Sequence, residues 1–165
     1  MRRLALIFMG ITLILSSCGQ NLELESLRTL DQGELIGLKG ENSTYTWKGV
    51  PFAEPPVGEL RWKEPKKAKV WNGRLEASKF KQGCFQRASF LENTQGKWSG
   101  GEDCLYLNIW TPQLSNQEIK ESPKKLPVMM WIHGGANVVG SAHTYDPSSL
   151  VSNHEVVVVT IQYRM

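Results

Sequence analysis

Leu126-Pro-Val-Met-Met-Trp-Ile-His-Gly-Gly-Ala-Asn-Val-Val-Gly140 begins as an apolar run and breaks abruptly into the small residues after His133. Val128 to Ile132, bounded by Pro127 and by Gly134-Gly135, reads as a strand covered on both faces. A strand that ends in consecutive small residues leaves backbone N–H groups uncovered. Such donors stabilise the negative oxygen that develops when a carbonyl carbon is attacked. The nucleophile for that chemistry has to come from elsewhere, because Gly-x-Ser-x-Gly does not occur among the 165 residues.

Two further strands flank this one: Leu105 to Trp110, ended by Thr111-Pro112, and Val156 to Gln162, again almost wholly apolar. The polar, lysine-rich stretch from Gln113 to Lys125 reads as an exposed connection. Upstream, Leu22 to Lys48 alternates short apolar groups with Asp31-Gln-Gly and Lys39-Gly-Glu-Asn turns, the pattern of a small antiparallel meander. Pro51, Pro55, Pro56 and the flanking glycines forbid a helix over Gly49 to Gly58, which predicts an ordered loop. Residues 59–104 carry Trp62, Trp71 and Trp98 without sustained periodicity. Scattered rings of this kind read as satellite core, with a carbohydrate platform as the alternative.

The N-terminus is a different kind of segment. Met1-Arg2-Arg3 followed by the apolar run Leu4 to Leu15 has the shape of a secretory signal, and it is too short for a spanning helix, which needs about 20 apolar residues. The signal closes on Leu15-Ser16-Ser17-Cys18, which resembles a bacterial lipobox. The reading is therefore a leader over 1–17, a lipidated tether over 18–26 anchored at Cys18, and a folded domain from 27 onward; an ordinary cleaved signal with an incidental cysteine is the alternative. Export and a membrane anchor are the expected compartment. Setting aside Arg2 and Arg3 leaves 17 of the 19 basic residues against 16 acidic ones, so the rest of the chain is nearly neutral. Nucleic acid, which calls for a concentrated basic face, is not an expected partner.

With Cys18 assigned to the anchor, Cys84 and Cys104 remain. An exported chain favours their pairing, worth on the order of 3 kcal/mol for a loop of about 20 residues. Two free thiols or a metal pair are the alternatives, although no neighbouring His, Cys or carboxylate has ligand spacing.

Taken in order, five blocks resemble the carboxylesterase type B family of α/β-hydrolases. They are Gly49-Val-Pro-Phe-Ala-Glu-Pro-Pro-Val-Gly-Glu-Leu-Arg-Trp62, Cys84-Phe-Gln86, Glu102-Asp-Cys-Leu-Tyr-Leu-Asn-Ile-Trp110, Pro127 to Ala136, and Val156 to Arg164. The resemblance runs from about Gly33 to Met165 and implies an α/β fold: the antiparallel meander plus the first strands of a central mixed sheet, the N-terminal part of a larger α/β-hydrolase domain. It implies a Cys84–Cys104 disulfide, a buried structural ion pair between Arg61 and Glu102, and an oxyanion hole formed by the N–H groups of Gly135 and Ala136, with Gly134 giving the tight turn. It does not make His133 the catalytic base. Asn137 departs from the family pattern, which has an aromatic residue there.

The implied activity is hydrolysis of small carboxylic esters without a cofactor, carried out by a Ser/Glu/His triad of which this stretch holds no member. Two consequences follow: residues 18–165 alone are expected to be inactive, and Val156 to Gln162 is expected to be left as an apolar edge. A non-catalytic binding or adhesion lipoprotein on the same fold is the alternative function.

Overall fold

The structure is a computed structural model that describes residues 22–87 and 97–165. The expected leader and the proposed lipidation site Cys18 lie outside the described residues. The principal sheet has five strands in the order β3 (Leu38–Lys39), β4 (Thr44–Pro51), β8 (Tyr106–Pro112), β10 (Val157–Ile161) and β9 (Val128–Ile132). The first four pair with one another antiparallel, whereas β9 lies parallel to β10. A second sheet holds β1 (Arg28–Leu30), β2 (Gly33–Ile36) and β5 (Arg74–Glu76), and a two-stranded ribbon pairs β6 (Gln86–Arg87) with β7 (Trp98–Ser99).

The expected meander is therefore split between two sheets. The chain changes sheet at Gly37, whose backbone lies so close to the Thr46 carbonyl and the Trp47 ring that a Cβ there would collide with both. The buried hydroxyl of Ser26 accepts from the Gly37 N–H at 2.8 Å, and Leu22 bridges to Leu38. Residues 22–26, read from sequence as tether, are thus seated on the fold, because the crossing at Gly37 has a backbone donor that Ser26 satisfies.

Leu35, Tyr45, Trp47, Val50 and Ala77 form the core between the two sheets. A second cluster gathers Trp110, Val151, Val156 and Val158 beneath helix α2 (Ser148–His154). This helix carries the crossover from β9 to β10, as parallel neighbours require. Within Gln113 to Lys125, expected to be a plain connection, Asn116–Glu121 forms the short helix α1. Its start is a reciprocal capping box: Ser115 Oγ accepts from the Glu118 N–H at 3.2 Å, and the Glu118 carboxylate accepts from the Ser115 N–H at 2.7 Å.

Strand β9 corrects two expectations. The edge of the sheet is β9 and not Val156 to Gln162, since the crossover through α2 inserts β10 between β8 and β9. Nor is β9 covered on both faces: Val128, Met130 and Ile132, which share a face, are 63, 61 and 61% exposed. Of the three tryptophans read as satellite core, Trp71 packs against Gly33 and donates to the Glu34 carbonyl at 2.8 Å. Trp62 and Trp98 are exposed, the latter stacked on Phe85 with centroids 5.1 Å apart.

Candidate active site

The turn that follows β9 is set by backbone conformation. Gly135 has φ +121°, and Ala136 and Asn137 both stand in the left-handed region at φ +57°. Gly135 cannot be replaced freely, because a Cβ on it would run into the Val139 carbonyl. The Gly135 carbonyl accepts from the N–H groups of Val138 and Val139 at 3.0 and 3.1 Å, closing the turn on its C-terminal side. No acceptor among the described residues takes up the N–H of Gly135 or of Ala136, and both residues are exposed. Two adjacent backbone donors at the C-terminal end of a sheet strand, facing no internal partner, are what an anionic oxygen requires.

Beneath the turn lies a buried polar layer. His133 is almost wholly enclosed, its ring stacked on Tyr163 at 4.1 Å between centroids, and the Tyr163 hydroxyl donates to the His133 carbonyl. His133 Nδ1 lies 3.0 Å from the Gly134 carbonyl oxygen and its Nε2 3.3 Å from Gln162 Nε2. Gln162 Oε1 accepts from the Ala142 N–H at 2.9 Å. On the far side, the Gln86 amide brackets one peptide position twice: its Oε1 accepts from the Gly140 N–H at 2.7 Å and its Nε2 donates to the Gly140 carbonyl at 2.9 Å. The loop from His133 to Ala142 is thereby held at both ends by side-chain amides. Neither glutamine stands out in sequence as more than one member of the blocks Cys84-Phe-Gln86 and Val156 to Arg164. Their partners are 54 residues away for Gln86, and 20 and 29 for Gln162.

Cys84 and Cys104 form a disulfide, both fully buried, with Cα atoms 4.9 Å apart. It stands two residues from Gln86 and so fixes the strand from which that amide reaches Gly140. Arg61 Nε and Glu102 Oε1 pair at 2.5 Å, but their side chains remain 52 and 34% exposed. The pair is thus not buried here, because its surroundings, which include Pro56, Trp62 and Arg164, form an open pocket rather than a closed core. It does not touch the turn. Among the described residues no cluster of His, Cys, Asp or Glu has the geometry to hold a metal ion.

A central mixed sheet with a parallel pair bridged by a helix, and a donor-bearing turn at the strand end, define part of an α/β-hydrolase fold. Among solved structures, a para-nitrobenzyl (PNB) esterase superposes with a TM-score of 0.72 at 37% identity, covering 86% of this chain and 28% of that one. The Geobacillus stearothermophilus carboxylesterase gives 0.70 at 38% identity, over 85% of this chain and 26% of that one. The model of the carboxylesterase family matches residues 25–165, so the chain belongs to the carboxylesterase family. The para-nitrobenzyl esterase of Bacillus subtilis is 41% identical over 140 residues, which is 83% of this chain and 27% of that protein. Mouse acylcarnitine hydrolase is 40% identical over 143 residues, 81% of this chain and 25% of that protein. The chain thus spans about a quarter of the length of the curated relatives it matches.

Proposed function

We propose that this chain is the N-terminal portion of a serine carboxylesterase and that it contributes the oxyanion hole, with the N–H groups of Gly135 and Ala136 as its donors. In the reaction so assigned, a serine attacks the carbonyl of a small carboxylic ester. A histidine takes the serine proton and an acidic residue orients that histidine. The two backbone donors hold the oxygen as its charge develops. Ala136 serves as well as glycine would, since its backbone and not its methyl group meets the oxygen. Asn137, exposed beside the donors, would border the acyl group and bias substrate choice.

The observation that carries this reading is the unpartnered pair of N–H groups on the turn after β9, in a chain 41% identical to an esterase. Nucleophile and base are assigned to residues beyond Met165. Export with a lipid anchor at Cys18 is part of the proposal, supported by Met1-Arg2-Arg3, the apolar run to Leu15 and Leu15-Ser-Ser-Cys18.

The test has two arms. Residues 18–165, purified, are expected to hydrolyse p-nitrophenyl acetate no faster than buffer; turnover blocked by a serine-directed phosphonate would overturn the assignment. The codons after Met165 are expected to continue in frame to a Gly-x-Ser-x-Gly. A continuation without it would favour the non-catalytic binding protein instead.

A further inference from the structure

The buried layer beneath the turn fixes where one proton sits. The Ala142 N–H can only donate, so the atom of Gln162 that meets it at 2.9 Å is the carbonyl oxygen Oε1. Gln162 Nε2 is then a donor, and it stands 3.3 Å from His133 Nε2. That ring nitrogen must accept, and the neutral imidazole therefore carries its proton on Nδ1. Nδ1 in turn lies 3.0 Å from the Gly134 carbonyl oxygen, to which it donates. In a trans peptide the C=O and the N–H of the following residue point in opposite directions. Holding the Gly134 oxygen down onto a buried ring therefore turns the Gly135 N–H outward.

We propose that His133 and Gln162 act together as positioning residues: Gln162 selects the Nδ1–H tautomer of His133, and that Nδ1–H orients the Gly134–Gly135 peptide so that its N–H faces the substrate. This rests on the reading of Gly135 as an oxyanion donor. Three features keep the ring in place. It stacks on Tyr163 with planes 13° apart, and both His133 and Gln162 are almost completely buried. Gly140 leaves the space the ring needs, since a Cβ there would strike Nδ1 and the Gly134 oxygen. The Gln86 amide holds Gly140 in that position. The ring neither attacks nor takes a proton from substrate; it stands beneath the donors.

The decisive measurement is the protonation of the two His133 ring nitrogens, read from 15N chemical shifts of the histidine-labelled full gene product, in solution or as a sedimented solid. A protonated Nδ1 with a bare Nε2 is expected near neutral pH; a bare Nδ1, or a ring protonated on both nitrogens, overturns the proposal. Gln162→Glu keeps an acceptor for the Ala142 N–H but replaces the donor facing His133, so Nε2 is expected to gain a proton. Nε2 remaining bare in a folded variant would also overturn it, and if that variant does not fold the wild-type shifts decide alone.

In ester turnover, His133→Asn places an amide N–H where Nδ1–H stood and His133→Gln does not. The Gln variant is expected to lose about a hundredfold in kcat, the scale of one oxyanion donor, with KM little changed, and the Asn variant to recover most of it. Equal loss in both variants would refute orientation through Nδ1–H. A wild-type protein without turnover but with protonated Nδ1 would sink the esterase reading while leaving the tautomer assignment standing.

Discussion

Strand β9 makes residues 22–165 prone to self-association. Val128, Met130 and Ile132 present one apolar face at 61 to 63% exposure, and among the described residues the strand has no neighbour on its outer side. At this exposure the three side chains leave roughly 300 Å² in water, or about 7 kcal/mol of transfer free energy per copy at about 25 cal/mol per Å². Two copies that cover each other's face gain about 15 kcal/mol gross, against roughly 4 to 15 kcal/mol lost on association. Unpaired N–H and C=O groups along the edge add to the net. Met130→Lys withdraws about a third of the face on each copy and sets two like charges together. That amounts to roughly 5 kcal/mol, or between about three and four orders of magnitude in the association constant.

Sedimentation velocity between about 1 and about 100 µM, where association worth about 6 to 8 kcal/mol becomes visible, is the assay. The parent chain is expected to gain mass with concentration or to precipitate, and the lysine variant to remain smaller throughout. A parent chain that stays monomeric over this range and melts in one sharp cooperative transition would refute the reasoning.

Two other predictions follow from the geometry. Replacing Cys84 and Cys104 together by alanine is expected to cost about 3 kcal/mol, read as a lower urea midpoint, the loop entropy released when a bridge across a 20-residue separation is removed; an unchanged midpoint would contradict it. Burial, helped by the hydrogen bond to Asp103 and its charge, pushes the Tyr106 phenol up to about 12. Because the folded value is raised, the stability from this neutral phenol is complete below the ordinary tyrosine range near 10 and is lost as pH climbs through about 12. A phenolate absorbance midpoint near 10 for this residue, assigned by Tyr106→Phe, would show the environment to be misread.

How far the chain is readable before folding depends on the range of the deciding interaction. Strands β8, β9 and β10 are legible because apolar runs bounded by Thr-Pro, by Pro and Gly-Gly, and by polar residues need only local information. So is the disulfide, once Cys18 is set aside as an anchor. The capping box at Ser115 and Glu118 is also a local signal, hidden within a lysine-rich stretch that reads as loop. The sheet crossing at Gly37 is not legible, since the close approach to Thr46 exists only after β3 and β4 pair. Nor is the order that puts β9 outside β10, which depends on the path of α2. The roles of Gln86 and Gln162 belong to the same class: each amide meets its partner only after distant segments are in register.

The Gln86–Gly140 clamp has a consequence for the order of events during folding. Its two partners are separated by 54 residues, and contacts across such a span form after local ones because the intervening chain must first be ordered. The turn therefore takes its final shape late, when the Cys84–Cys104 region and the β9–α2–β10 unit have come together. A nascent chain can hold its local hairpins and still lack a formed site. Amide exchange at Gly140 should then report completion of this part of the molecule, becoming protected more slowly during refolding than the paired amides of the local β1–β2 hairpin.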